Sequence, residues 1–323
     1  MRKSILLLSV VLAVNLFLPA AARAEKFPSH SISLIIPTPP GGGTDVALRM
    51  VAQIAGGILG QTIVIMNRPG AGGEIGTWSV VRATPDGYTL GGIWNAPLTM
   101  TPYTLPAPYT PNDYVAISLT DSAPIVLCAK AAFPADSGKA FIDYLKKNPD
   151  KFTYGTDGVG ATIQLAAERI FFKLGVKMRS IPFGGAGQTL QSFLGGQIDI
   201  YGGSITPILP YVRNKTAKCL IVTSVKRVDS LPEASSLTDL GIPGEQTLLW
   251  HGIIGPKGIP PDRLAILESA FRKAAQTKRF VDFMKAQSID VQGTSGPEMR
   301  KVIDSEYAAM GQVVKKLGIG NKK

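Results

Sequence analysis

Histidine and cysteine are scarce in this 323-residue sequence, and that scarcity limits its chemistry. The histidines are His30 and His251, and the cysteines are Cys128 and Cys219. Four such residues at wide spacing do not form the clustered ligand set of a zinc site. No Gly-x-Ser-x-Gly motif is present either, because Ser204 has no glycine two positions after it. A serine hydrolase is therefore not favoured.

Nucleotide-binding motifs are also missing. Lys139 is followed by Ala140, where a P-loop has Ser or Thr. Gly70 and Gly72 are followed by Ile75, where a dinucleotide fingerprint requires glycine. These departures argue against an enzyme that uses a nucleotide. They leave catalysis by paired carboxylates open.

Such a carboxylate pair would need Asp45, Asp157 or Asp199 to converge. Each of these residues is also explained as a cap, a turn or a strand-end residue. We therefore expect no catalytic residue, no cofactor and no metal.

Charged residues make up only 18% of the chain, with a formal net charge of +11. The basic residues are scattered among acids and form no stripe interleaved with aromatics, so nucleic-acid binding is not expected. The excess of positive charge indicates either an ordinary solvated surface or a diffuse electrostatic field that attracts anions.

The first 24 residues have the pattern of an export signal. Arg2 and Lys3 precede an apolar run that is too short for a membrane span, and Ala22-Arg23-Ala24 matches a signal-peptidase site. We predict a signal peptide at 1–24 and a periplasmic location. An oxidising compartment permits one disulfide, but two buried thiols remain the alternative for the cysteines.

Short β-rich runs alternate with helical periods of three, four and seven residues. This alternation predicts an α/β fold with mostly parallel sheets. Strands are expected at 32–36, 62–66, 88–93, 115–119, 124–129, 178–181, 198–201, 219–224 and 250–254. Helices are expected to begin near Asp45 and to cover 163–174, 264–275 and 302–317.

The length suggests two domains, and no linker separates them, so we expect the chain to cross between them more than once. The candidate crossings are 115–129 and 217–224. Domain one would then comprise 25–120 and 225–323, and domain two 121–224.

Four glycine-rich loops carry the strongest functional signal. Residues 37–45 and 154–162 each follow a strand and open a helix, and 68–76 and 182–188 look similar. Glycine lets the backbone approach a ligand closely, and a helix N-terminus favours an anion. One such loop in each domain predicts a cleft that holds one ligand.

Six motifs together resemble a known family: Pro-Thr-Pro-Pro-Gly-Gly-Gly-Thr-Asp (37–45), Asn-Arg-Pro-Gly-Ala-Gly-Gly (67–73), Pro-Asp-Gly-Tyr-Thr-Leu (85–90), Tyr-Gly-Thr-Asp-Gly-Val-Gly (154–160), Ile-Pro-Phe-Gly-Gly (181–185) and Leu-Gly-Gly-Gln-Ile-Asp (194–199). They are similar to those of the Bug-type receptors, the solute-binding proteins of tripartite tricarboxylate transporters. The resemblance implies a type II periplasmic-binding-protein fold, with two α/β domains joined by crossover strands around a ligand cleft.

In that family, loops matching 38–45 and 155–162 hold a carboxylate through backbone groups and hydroxyls. The hydroxyl donors expected here are Thr38, Thr44, Thr156 and Thr162, while Asp45 either caps its helix or meets a ligand ammonium. The other loop residues predicted to line the site are Pro39, Gly41, Gly42, Gly43, Gly158, Gly160 and Ala161.

Two departures from the family pattern bear on the ligand. Gln164 stands where many members have histidine, and Phe183-Gly184-Gly185 replaces a Tyr-Lys-Gly turn. Trp94, Phe183 and Tyr201 are therefore expected at the distal end of the pocket, where they suit an aromatic or uncharged tail.

The resulting prediction is a monomeric extracytoplasmic solute-binding protein. It captures a small di-, tri- or aromatic carboxylate and passes it to a two-component membrane permease. The alternatives are a periplasmic sensor that signals to a membrane partner and, less favoured, a periplasmic hydrolase.

Overall fold

A computed structural model describes residues 26–317. The predicted signal peptide lies outside this range. Ten strands are assigned: β1 Ile32–Ile36, β2 Ile63–Asn67, β3 Thr89–Trp94, β4 Tyr114–Lys130, β5 Thr153–Thr156, β6 Arg179–Pro182, β7 Ile200–Ser204, β8 Ala217–Val222, β9 Leu248–Pro256 and β10 Asp290–Val291.

Eleven α-helices connect or flank these strands within 26–317. They are α1 Gly43–Leu59, α2 Glu74–Val81, α3 Asn95–Thr99, α4 Thr101–Thr104, α5 Gly138–Lys146, α6 Thr162–Leu174, α7 Ala186–Leu194, α8 Ile205–Arg213, α9 Pro261–Ala275, α10 Lys278–Lys285 and α11 Gly296–Leu317. None of the described helices is both long and apolar enough to cross a membrane.

The strands form a sheet of order β2-β1-β3-β9-β4-β7-β5-β6, with β8 and β10 also pairing to β4. We call β1, β2, β3, the helices packed on them and the helices after β9 the first lobe, and β5 to β8 and their helices the second lobe. Strands β4 and β9 connect the two lobes. Strand β4 is long enough to belong to both. The two runs predicted at 115–119 and 124–129 are thus one crossover strand.

The expectation of mostly parallel sheets was wrong. Among the described strands, the parallel pairs are β1 with its two neighbours and β5 with its two neighbours, and one isolated parallel bridge joins Ile221 to Ser235. Every antiparallel pair among the described strands includes β4 or β9. The physical reason is that β4 and β9 run between the lobes and pair with each other in opposite directions. Neither strand reaches its neighbour through a local strand–helix–strand unit, which is the connection that makes strands parallel.

Each lobe has its own apolar core. Ile36, Leu48 and Phe271 are fully buried in the first lobe, and Phe141 and Ile200 are fully buried in the second. The predicted face of α6 is buried from Ile163 to Phe171, because residues three and four apart share one side of a helix. In α1 the buried face includes Leu48 and Val51, whereas the predicted residues Val46, Met50 and Ile54 are half-buried.

The segment between β8 and β9 packs with the second lobe. Leu231 and Ala234 join its core beside Cys128, and Leu237 and Ile242 contribute to the cluster around Phe141. We therefore propose that the second domain extends to about residue 247, and that the chain returns to the first lobe through β9 and not at 225.

The two cysteines are paired. Cys128 on β4 and Cys219 on β8 are cross-strand partners joined by a disulfide, at a sequence separation of 91. Of the two states that the sequence left open, the structure contains the bridge.

Candidate ligand-binding seam

The four glycine loops meet in pairs where the lobes touch, along a line that we call the seam. The first pair joins 37–43 of the first lobe to 183–187 of the second. A methyl group placed on Gly187 would lie 3.2 Å from the backbone nitrogen of Gly42, and one placed on Gly185 would lie 3.3 Å from Pro39. Glycine is needed here because the two backbones approach each other directly.

Gly43, at the start of α1, faces Ser204 at the end of β7. A methyl group added at Gly43 would lie 2.7 Å from Ser204 Cβ and closer still to its hydroxyl. The first residue of α1 is thus packed against the opposite lobe.

The second pair joins 158–160 to the loop before α2. A methyl group on Gly158 would lie 3.3 Å from Gly72 Cα, and one on Gly160 would overlap the side chain of Thr104. The two loops predicted to face each other across one cleft, 38–45 and 155–162, therefore each contact a different glycine loop of the opposite lobe.

Six buried side-chain atoms in residues 26–317 have no hydrogen-bond partner, and four of them lie at the seam. These four are Thr38 Oγ1, Trp94 Nε1, Asp157 Oδ2 and Ser204 Oγ. Each residue ends a strand or follows its last residue by one or two positions, in β1, β3, β5 and β7 respectively. All four are at most 5% exposed. Buried polar groups normally have partners, so this concentration indicates a place for a polar ligand.

The helix N-termini that reach the seam without a side-chain cap include those of α1, α7 and α8, whose N-cap residues are Gly42, Gly185 and Ser204. Elsewhere, Ser137 caps α5 and Thr277 caps α10 with their hydroxyls. Uncapped helix starts leave backbone N–H groups and a partial positive charge available to an anion.

Asp157 is the ionisable group most perturbed at the seam. Burial raises its pKa to about 7, and hydrogen bonds and the nearby Trp94 indole offset only part of that effect. Its Oδ1 accepts from the backbone N–H of Ile163, which anchors the start of α6. The indole N–H of Trp94 is close enough to lower the pKa without reaching hydrogen-bond geometry.

Several residues predicted to bind the ligand already have protein partners. Thr44 Oγ1 lies 3.0 Å from His251 Nε2, and the Thr162 hydroxyl donates to Asn95 Oδ1 at 2.7 Å. The Thr156 hydroxyl lies 3.5 Å from the carbonyl of Gly158. Of the four predicted hydroxyl donors, only Thr38 is without a partner in the described structure.

Asp45 has a structural role. Its carboxylate accepts hydrogen bonds from Arg49, Asn67 and the backbone N–H of Gly41. Burial pushes its pKa up, but these bonds outweigh burial and hold the pKa below its usual value. With these partners it stabilises the first loop.

The prediction for Tyr201 at the distal end of the pocket is not supported. Its ring is fully buried in the second-lobe core beside Phe193, and its hydroxyl donates to the carbonyl of Ser204. Alternation along β7 turns the side chain of Tyr201 to the core face. Phe183 is half-buried against the same core, whereas Trp94 lies at the seam.

Gln164, the residue that replaces the family's histidine, stabilises the second loop. Its Oε1 accepts from the backbone N–H of Gly160, and its Nε2 donates to Ser180 at 3.0 Å. The substitution thus ties the loop to β6.

Asp157 and Asp199 do not converge. Asp199 accepts from Thr153 at the start of β5, whereas Asp157 follows the other end of that strand. Sequence reasoning did not assign Ser204 and Asp157 to the ligand site. The sequence offered one signal for both residues: each lies at the end of a strand and close to the start of a helix.

The sequence matches the family described as "Tripartite tricarboxylate transporter family receptor" over residues 47–319. The chain belongs to this family. It is 30% identical over 302 residues to the protein BugT of Bordetella pertussis, covering 93% of each chain.

Solved structures agree with the assignment. The periplasmic binding protein BugD is 29% identical, with a TM-score of 0.85 over 91% of this chain and 99% of BugD. A structure described as a periplasmic transporter is 30% identical, with a TM-score of 0.88 and the same coverage. The protein is thus a periplasmic solute-binding receptor with the type II fold, and its family works with a membrane transporter.

Proposed function

We propose that this receptor captures a small carboxylate at the seam between its lobes and delivers it to a two-component membrane permease. The observation that carries the proposal is the set of four partnerless polar atoms at strand ends of both lobes. A ligand that satisfies these atoms stabilises the contact between the lobes, because it binds both of them.

The chemistry of the seam favours an anion. The uncapped starts of α1, α7 and α8 supply N–H donors, and Thr38 and Ser204 supply hydroxyls from opposite lobes. The described loops 37–45 and 154–162 contain no lysine or arginine. We therefore assign carboxylate binding to dipoles and hydrogen bonds and not to an ion pair.

The lining of the seam also constrains the remainder of the ligand. Trp94 contributes an indole face and a partnerless N–H, beside the buried carboxyl of Asp157. Protonated Asp157 donates a hydrogen bond to an anionic ligand, and ionised Asp157 repels it. Tighter binding below pH 7 follows from this arrangement.

A thermal-shift screen of malate, adipate, citrate and benzoate on protein lacking 1–24 tests the proposal. A bound carboxylate at 100 times its Kd stabilises the fold by about 2.7 kcal/mol. Thr38→Val and Ser204→Ala are expected to abolish the shift while the protein still folds. Ser230→Ala is the matched control, since Ser230 Oγ is equally partnerless but lies away from the seam.

A receptor that none of these carboxylates stabilises contradicts the proposal. So does normal binding by both seam variants, because the ligand would then contact neither hydroxyl.

A further inference from the structure

A buried hydrogen-bond chain links the crossover strands to the first glycine loop. Asp121 Oδ1 lies 2.6 Å from His251 Nδ1, and His251 Nε2 lies 3.0 Å from Thr44 Oγ1. Asp121 and His251 face each other on β4 and β9, where these strands pair between the lobes. Thr44 is in the first turn of α1, next to the glycine that touches Ser204.

The direction of each hydrogen bond follows from the donors available. An ionised carboxylate can only accept, so Asp121 requires the proton to be on Nδ1 of His251. The other oxygen of Asp121 accepts from the Thr120 hydroxyl at 2.8 Å. In the neutral ring Nε2 then carries a lone pair, and the Thr44 hydroxyl must donate its single proton to it. Thr44 has no proton left for an anion.

A second proton on the ring reverses the last bond. Nε2–H then donates to Thr44 Oγ1, and the hydroxyl proton of Thr44 becomes free to donate elsewhere. We propose that Asp121 and His251 are positioning residues for ligand capture, and that protonation of His251 turns the Thr44 hydroxyl toward a bound carboxylate. This role rests on the proposed carboxylate site.

The charged groups on the helices around β9 have partners or surroundings outside the Asp121–His251–Thr44 chain. On α1, Asp45 is paired with Arg49. On α11, Glu306 accepts from Trp250 and Asn95, and burial raises its pKa. On α2, burial raises the pKa of Glu74.

Two carboxyl groups lie close to His251 in the fold. The first is Asp121, its direct partner, and the second is Asp157, which adjoins Trp94, the cross-strand neighbour of His251 on β3. Because burial raises the pKa of Asp157 to about 7, the effect of His251 is measured in an Asp157→Asn background, which keeps the acceptor for α6.

The first experiment observes the ring directly in ligand-free protein. Selective ¹⁵N labelling of histidine in protein lacking 1–24 gives two imidazoles, and His30→Asn assigns them. We expect a pyrrole-type Nδ1 and a pyridine-type Nε2 for His251 at pH 8. Thr44→Val should shift the Nε2 signal, and Thr44→Ser should restore it. A proton on Nε2 at pH 8, or an unchanged Nε2 signal in Thr44→Val, overturns the proposal.

Asp121→Asn is the matched test of the positioning role. Unlike a carboxylate, the Asn side chain can present either its oxygen or its amide N–H to Nδ1. The Thr120 hydroxyl, which bonds the carbonyl of His251, can accept from the amide in the first orientation. We expect a mixture of ring tautomers in this variant. The single tautomer of the parent would show that Asp121 does not position the ring.

The second experiment measures binding of malate, adipate and benzoate at pH 6 and pH 8. In Asp157→Asn, the carboxylate that binds should bind about fivefold more tightly at pH 6, the factor that one ordinary hydrogen bond supplies. Thr44→Val should remove this difference, and Thr44→Ser should keep it. A difference that survives Thr44→Val overturns the inference.

Binding of none of the three carboxylates contradicts the proposed function, and the ring signals still decide the hydrogen-bond chain independently.

Discussion

Gly43→Ala should separate ligand capture from folding. Gly43 begins α1 in the first lobe, and a methyl group there would lie 2.7 Å from Ser204 Cβ in the second. Real Cβ atoms do not approach so closely, so the lobes cannot close fully around a ligand. The next atom near the added methyl group is Pro207 Cδ at 3.9 Å, also in the second lobe, so the first lobe should fold as before.

The expected magnitude follows from the overlap. Inserting a methylene into a packed contact costs about 1–3 kcal/mol. If this cost falls on the closed state alone, carboxylate affinity drops by roughly 5- to 150-fold, and the unfolding midpoint without ligand hardly changes.

Calorimetric titration and denaturant unfolding measure the two quantities separately. Gly57→Ala is the control, because Gly57 lies inside α1 with no atom within 4 Å of an added methyl group. It should bind normally and gain about 0.5–1 kcal/mol of stability, as alanine favours the helix.

Gly43→Ala that binds as tightly as the parent would refute this reasoning, since the contact between Gly43 and Ser204 would then be unnecessary for capture. Loss of folding in Gly43→Ala alone would also contradict it.

Three further predictions concern stability and the second half of the seam. The raised pKa of Asp157 means that the folded state keeps a proton which the unfolded chain releases above about pH 4, so the free energy of unfolding should fall by roughly 4 kcal/mol between pH 4 and 7. Denaturant unfolding of Asp157→Asn should lack this decrease, and an equal slope in both proteins would count against it. Replacing Cys128 and Cys219 by alanine should lower the free energy of unfolding by about 4–5 kcal/mol, because the bridge closes a 91-residue separation; a change below 1 kcal/mol would show that it contributes little. Thr162→Val removes the hydrogen bond to Asn95 across the seam and should weaken carboxylate binding about fivefold in a calorimetric titration, whereas unchanged binding would show that this bond does not support closure.

Local pattern predicted most of the secondary structure. The strand expected at 32–36 has those bounds, and helix α6 begins one residue before its predicted face at 163–174. Apolar periodicity reports which face is buried, and that information is local. Pairing direction is not local. Strand β4 looked like two runs, because nothing in its sequence marks the passage from one lobe to the other.

The ligand-binding role of the loops 37–45 and 154–162 stays a prediction. The structure adds that Gly43 and Gly158 in these loops lie against the opposite lobe. The sequence could not reveal that Thr44 bonds to His251, a residue 207 positions away. In the sequence, the one indication of that hydrogen-bond network was Asp121, an aspartate inside strand β4.

A crystal structure of the protein with a bound carboxylate tests the central claim most directly. The account predicts carboxylate oxygens within about 2.7–3.2 Å of Thr38 Oγ1 in the first lobe and Ser204 Oγ in the second. A carboxylate that contacts one lobe alone, or that lies outside the seam, would contradict it.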